Sequence, residues 1–121
     1  MAYSNWENFD ERNGTVQVRL VPEYDKARLL RQCYVGPCWL FRRSAKEIAG
    51  GYLEEPCEDY DMHLKLAEVG SFRRVPQVLG VWRNHPLNVS NRLVLNPQPI
   101  RWQGQAKRIQ ECHRQRTQPE H

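Results

Sequence analysis

A mixed α/β domain is the fold class that the sequence predicts, and three observations carry that expectation. Residues 15–20 alternate apolar and polar, with Val16, Val18 and Leu20 set against Thr15, Gln17 and Arg19, the period of a half-buried strand. Residues 57–69 form a run of helical character between Pro56 and Gly70. Two short β-rich segments, 72–75 and 78–82, follow that run and are divided by Pro76.

The elements follow in order. Asn13-Gly14 signals a turn ahead of the first strand, and Pro22 stops that strand. Asp25 is placed to cap a short helix over residues 25–32, with Ala27, Leu29 and Leu30 as its apolar positions. Residues 34–41 read as a loop, broken at Gly36-Pro37, that runs into a buried strand ending at Phe41. Ser44 is the expected cap of a helix through Ala49, which Gly50-Gly51 end by adopting left-handed backbone. In the helix at 57–69, Tyr60, Leu64 and Ala67 share one face, while Asp59, Met62, His63 and Leu66 lie near another. Gly70 is the expected left-handed residue after its last turn. Ser90 is expected to cap a helical turn through Leu95, and residues 96–99 break it. Residues 101–116 carry a narrow apolar line, Trp102, Ala106, Ile109 and Cys112, so a marginal helix docked on the body or on a partner is expected. With a strand at 15–20 and little before it, the sheet is short of members.

Composition excludes several classes. The 121 residues are 40% hydrophobic and 26% charged, as in one globular domain. There is no apolar run of membrane-spanning length and no secretory leader pattern, so a cytoplasmic chain is expected. The net charge of +4 is uneven: residues 1–100 hold 13 basic and 12 acidic side chains, and residues 101–121 hold 5 and 2. That is a weak footprint for nucleic acid, and no specific nucleic-acid partner is expected. Cys33, Cys38, Cys57 and Cys112 show no zinc-finger spacing and are read as reduced, buried thiols.

The densest polar cluster, Glu54, Glu55, Glu58, Asp59 and Asp61, surrounds the start of the helix at 57. Acidic residues there interact favourably with the positive end of the helix dipole, which is a sufficient reason for them without any chemistry. Asp59 and Asp61 have the form Asp-x-Asp, but residues two apart on a helix point about 200° apart and do not readily share one ion.

Five blocks add a more specific signal. They are Gly36-Pro37-Cys38-Trp39-Leu40-Phe41-Arg42-Arg43, Gly50-Gly51-Tyr52, Glu58-Asp59-Tyr60-Asp61-Met62-His63-Leu64-Lys65-Leu66, Val75-Pro76-Gln77-Val78-Leu79, and Trp82-Arg83-Asn84-His85. In order and spacing they resemble the second half of family 2 glycosyltransferases. Tyr3-Ser4-Asn5-Trp6, Asp10, Asn13-Gly14 and Tyr24-Asp25 resemble the segment that follows that family's metal-binding strand. The resemblance spans about residues 3–95, so the division expected is 1–95 as the acceptor and catalytic-base half, and 96–121 as a basic, Gln/Arg-rich tail.

The resemblance implies a partial GT-A-like mixed sheet with flanking helices. It also implies an inverting reaction in which a nucleotide sugar passes its sugar to an acceptor hydroxyl, on a glycan or another molecule. Asp59 would be the general base, because a hydroxyl is a poor nucleophile until a carboxylate takes its proton. Glu58 would orient or cap on the acceptor side, and Asp61 would be structural. His85 would be a ligand of the divalent ion, manganese or magnesium, that the complete enzyme uses; as a residue alone it is a surface histidine. Arg83 would contact the diphosphate. Trp39 would offer the acceptor a stacking surface, although a tryptophan beside a strand is also ordinary core. His63 carries no implied role. No stretch matches the family's donor-binding Asp-x-Asp half, so the chain is expected to be inactive alone, as a truncated product, an excised fragment or one partner of a split enzyme. The alternative is a non-catalytic oligomeric binding module, for instance a homodimer, that keeps the fold.

Overall fold

The computed structural model describes residues 1–54, 57–87 and 99–117, and the side chains of all these except 99–104 and 117. Its centre is a strand that the sequence pattern does not announce. β1 (Ala2–Asp10) pairs along its length with a parallel strand, β4 (Arg73–Asn84). On its other side it pairs antiparallel with β2 (Thr15–Arg19) at residues 6–10, and with the two-residue β3 (Trp39–Leu40) at Ala2 and Tyr3. The result is a four-stranded mixed sheet with helices α1 (Lys26–Leu29), α2 (Arg43–Ala49), α3 (Glu58–Val69) and α4 (Pro99–Thr117). The mixed α/β class is therefore observed, and β1 is the member that the sequence-based sheet lacked.

β1 escapes pattern reading because its buried residues are partly polar and are satisfied by distant partners. Ser4 and Asn5 are buried. Asn5 Oδ1 accepts the Val21 N–H at 2.8 Å, and Ser4 N–H donates to the Cys38 carbonyl at 3.1 Å. With such partners, burial of polar groups is affordable in a strand that alternation alone would reject.

Other elements differ in detail. β2 is found where expected, but Val16 and Val18 are 58% and 51% exposed, so the strand is not half-buried. The two segments expected around Pro76 are one strand. Its register against β1 shifts around Asn5: Val75 pairs with Ser4, Val78 with Asn5 and Gly80 with Trp6. Those shifts leave Pro76 outside the ladder, where its missing N–H costs nothing. β3 stops at Leu40, which is exposed rather than buried. Asp25 does cap α1, its Oδ1 accepting the Arg28 N–H at 3.1 Å. α2 starts from Arg42 without a side-chain cap, so Ser44 lies inside the helix; Gly50 ends it with φ 98°. Gly70 closes α3 in extended backbone, not the left-handed form. The turn expected at 90–95 and residues 96–98 of the breaker expected at 96–99 lie outside the described residues, whereas Pro99 opens α4.

α3 is the core helix. Tyr60, Met62, Leu64, Leu66 and Ala67 are all buried, so both of its expected faces are covered. Tyr60 Oη donates to the Leu29 carbonyl at 2.6 Å and accepts from Gln110 Nε2 at 3.1 Å, tying α3 to α1 and to α4. α4 thus docks on the body of this chain. Its buried residues include Ile109 and His113, whereas Cys112 is exposed. The buried-thiol reading holds for Cys57 but fails for Cys33 and Cys112, which sit on the surface.

Gly36 carries a sharp packing constraint. Its φ is +80°, and a Cβ there would lie 2.6 Å from Trp6 Nε1. Gly14 has a similar φ of +72° with open space around it. Gly36→Ala is therefore expected to destabilise by more than the roughly 1–3 kcal/mol of backbone strain alone, and Gly14→Ala by no more than that strain. Equal shifts of the urea midpoint in the two variants would refute the steric part.

Candidate functional site

The first turn of α3 places Glu58 and Asp59 at the surface, both exposed. Its N-cap, Cys57, has φ 69°, the left-handed region, and supplies no side-chain cap. Asp59 accepts the Tyr60 N–H on Oδ1 at 2.9 Å, which satisfies one of the donors that a helix start leaves unpaired. One turn on along the same face is His63, buried to 1% exposure.

His63 links this turn to an aromatic cluster. Its ring meets Trp39 edge-on, with centroids 4.5 Å apart. Trp39 stacks on Phe41 at 5.2 Å and lies 6.3 Å from Tyr52. Burial pushes the Tyr52 phenol upward, and the negative charges of Asp59 and Glu58 add to that effect. Tyr52, 44% exposed, therefore lies within electrostatic reach of both carboxylates. Trp39 also helps to line a cavity of about 230 Å³ with Tyr3, Ser4, Cys38, Leu40 and Leu79. Chemically, this end of the domain offers an open carboxylate one helical turn from a histidine packed in an aromatic cluster, which suits proton abstraction from a polar group on a molecule with an apolar face.

Arg83 and His85 are placed elsewhere. Trp39 pairs opposite Tyr3, whereas Arg83 pairs opposite Phe9, six residues farther along β1. At about 3.3 Å per residue that is roughly 20 Å. His85 Nδ1 accepts the Leu87 N–H at 3.2 Å just beyond the end of β4. The structure therefore brings Glu58, Asp59 and Trp39 to one end of the sheet and leaves Arg83 and His85 at the other. Among the described residues, no group of three or more metal-ligating side chains converges.

Tyr52 belongs to the Gly50-Gly51-Tyr52 block, and the sequence implies no role for it. The signal that points to it is Gly50-Gly51, two successive left-handed residues (φ 98° and 84°) that turn the chain back toward α3. Nothing in the pattern marked His63. Both its ring nitrogens are buried, with no hydrogen-bond partner among the described residues.

Burial depresses the His63 imidazole to about 4, with the charge of Asp59 opposing the shift. An unfolded histidine titrates near 6.5. Between those values the unfolded chain binds the extra proton, so stability is complete above about pH 6.5 and falls as pH drops toward 4. The full loss from this group is on the order of 3 kcal/mol. His63→Phe is expected to flatten that part of the profile, read as the difference between the two proteins in urea unfolding at pH 7 and pH 4.5. Parallel profiles would remove His63 as the cause.

Among the described residues, no helix is long and apolar enough to cross a membrane. No protein-family model matches the chain, and no curated protein matches it in sequence.

Proposed function

We propose that this chain is the acceptor and catalytic-base half of an inverting, family 2-like glycosyltransferase of GT-A type, with Asp59 as the base. The observation that carries the reading is the setting of Asp59: a solvent-open carboxylate, anchored by the Tyr60 N–H, one helical turn from the His63 ring that packs against Trp39. The motif register from residue 36 to residue 85 supports the same assignment. In the reaction, Asp59 takes the proton of the acceptor hydroxyl while the oxygen attacks the anomeric carbon, the bond to the diphosphate breaks, and the configuration inverts. Tyr52 and Trp39 hold the acceptor's apolar face, and Glu58 orients it. Stabilising the departing diphosphate, with a divalent ion, falls to a donor half that this sequence does not match. Arg83 and His85, at the far end of β1, would then serve that half rather than the acceptor.

Calorimetry with a panel of nucleoside-diphosphate sugars and manganese tests the division. This chain alone is expected to bind them weaker than millimolar, and to gain transfer when mixed with a polypeptide that carries the donor half. Micromolar binding by the chain alone would overturn the proposal.

A second reading, a non-catalytic module that associates through its sheet, is favoured by one observation. Leu40, Leu79 and Val81 are 75%, 59% and 66% exposed, together with Val16 and Val18. Exposed apolar residues in that number are more than scattered surface positions require. A clean monomer in sedimentation at high concentration would set the homodimer form of this reading aside.

A further inference from the structure

α4 lies outside the family resemblance, yet it grips the helix that carries Asp59. His113, 1% exposed, sets Nε2 3.1 Å from Asp61 Oδ1 and Nδ1 2.6 Å from Glu68 Oε1. The other oxygen of Asp61, Oδ2, is 2.8 Å from Lys65 Nζ. Lys65 Nζ in turn donates to the Gly51 carbonyl at 3.1 Å. Gly51 is the second of two left-handed glycines, and the next residue is Tyr52. Three contacts, His113 to Asp61, Asp61 to Lys65 and Lys65 to Gly51, therefore join the C-terminal helix to the turn that leads into Tyr52.

We infer that Lys65 and His113 are positioning residues, through which α4 holds the turn at residues 50–52 against the Trp39 cluster. A turn of two consecutive glycines has wide conformational freedom and little of its own to define it. A charge-assisted bond to the Gly51 carbonyl supplies that definition. The bond needs Lys65 in one rotamer, Asp61 selects that rotamer, and His113 selects the orientation of Asp61. Relevance to sugar transfer rests on the reading of Asp59 as base, whereas the position of the turn does not.

The test reads the turn directly. In the full chain, NMR follows the Tyr52 ring signals and their cross-relaxation with the Trp39 ring, which report packing whether or not Asp59 has a catalytic role. Lys65→Met is expected to shift the turn from packed to open by about tenfold or more. Lys65→Arg restores the packed signals. His113→Asn moves the Tyr52 signals in the same direction, and the double variant goes no further than Lys65→Met alone. The urea midpoint of each variant is measured alongside, and Lys65→Arg, which keeps the charge beside Asp61, separates a change at the turn from a loosening of the whole domain. Tyr52 signals that stay in place in Lys65→Met, or effects that simply add in the double variant, would overturn the inference.

Discussion

Asp59→Asn is expected, on the proposed function, to lower sugar transfer by about 10²- to 10⁴-fold when this chain is combined with a polypeptide that supplies the donor half, the usual contribution of a positioned general base. The substitution keeps the shape of the side chain and removes only its ability to take a proton. Folding should barely notice it. Asp59 is exposed, and an asparagine Oδ1 still accepts the Tyr60 N–H that the carboxylate now holds. The remaining cost is the favourable interaction of a negative charge with the start of α3, about 0.3–1 kcal/mol. Two measurements separate the effects: the rate of transfer, and the urea midpoint of the isolated chain. Unchanged transfer with unchanged stability would remove Asp59 from the chemistry. A large fall in stability would instead make the residue structural.

Asp61→Ala is expected to show the opposite profile, a loss of stability of about 3–5 kcal/mol, or roughly 10–20 °C in melting temperature. Asp61 is 4% exposed and faces His113 on one oxygen and Lys65 on the other. Truncation leaves a buried imidazole and a mostly buried ammonium without the carboxylate that they share. Removing one member of a buried charged cluster costs more than the pair is worth against water, because the survivors cannot be resolvated in place. Asp61→Asn, which keeps an acceptor oxygen but no charge, should lie between the two. A loss below about 1 kcal/mol for Asp61→Ala would mean that water replaces the carboxylate and that the cluster is not a structural tie.

Asp59 and Asp61 sit two residues apart in one acidic cluster, and the sequence treats them alike apart from the resemblance. Helical geometry sends them in different directions, one to solvent and one under α4. The same limit applies to histidine. His63 and His113 are both polar letters in mixed surroundings, and each is 1% exposed, one against Trp39 and the other between two carboxylates. Their partners are supplied by β3 and by α3, at separations that no local window covers. α4 shows the consequence: its apolar line in the sequence runs through Cys112, whereas the inward position is His113, accepted there because Asp61 and Glu68 meet it.

Where local rules operate alone, the sequence was sufficient. The Asp25 cap, the stop of α2 at Gly50, the run of α3, the position of β2 and the mixed α/β class all follow from periodicity, capping and turn residues over a few positions. What only the tertiary structure decided is the central place of β1, the continuity of β4 through Pro76, the docking of α4, and the separation of Asp59 from Arg83 and His85. Each depends on strand pairing or on hydrogen bonds between residues far apart in the chain. Such partners determine whether a polar residue can be buried, and local pattern carries no record of them.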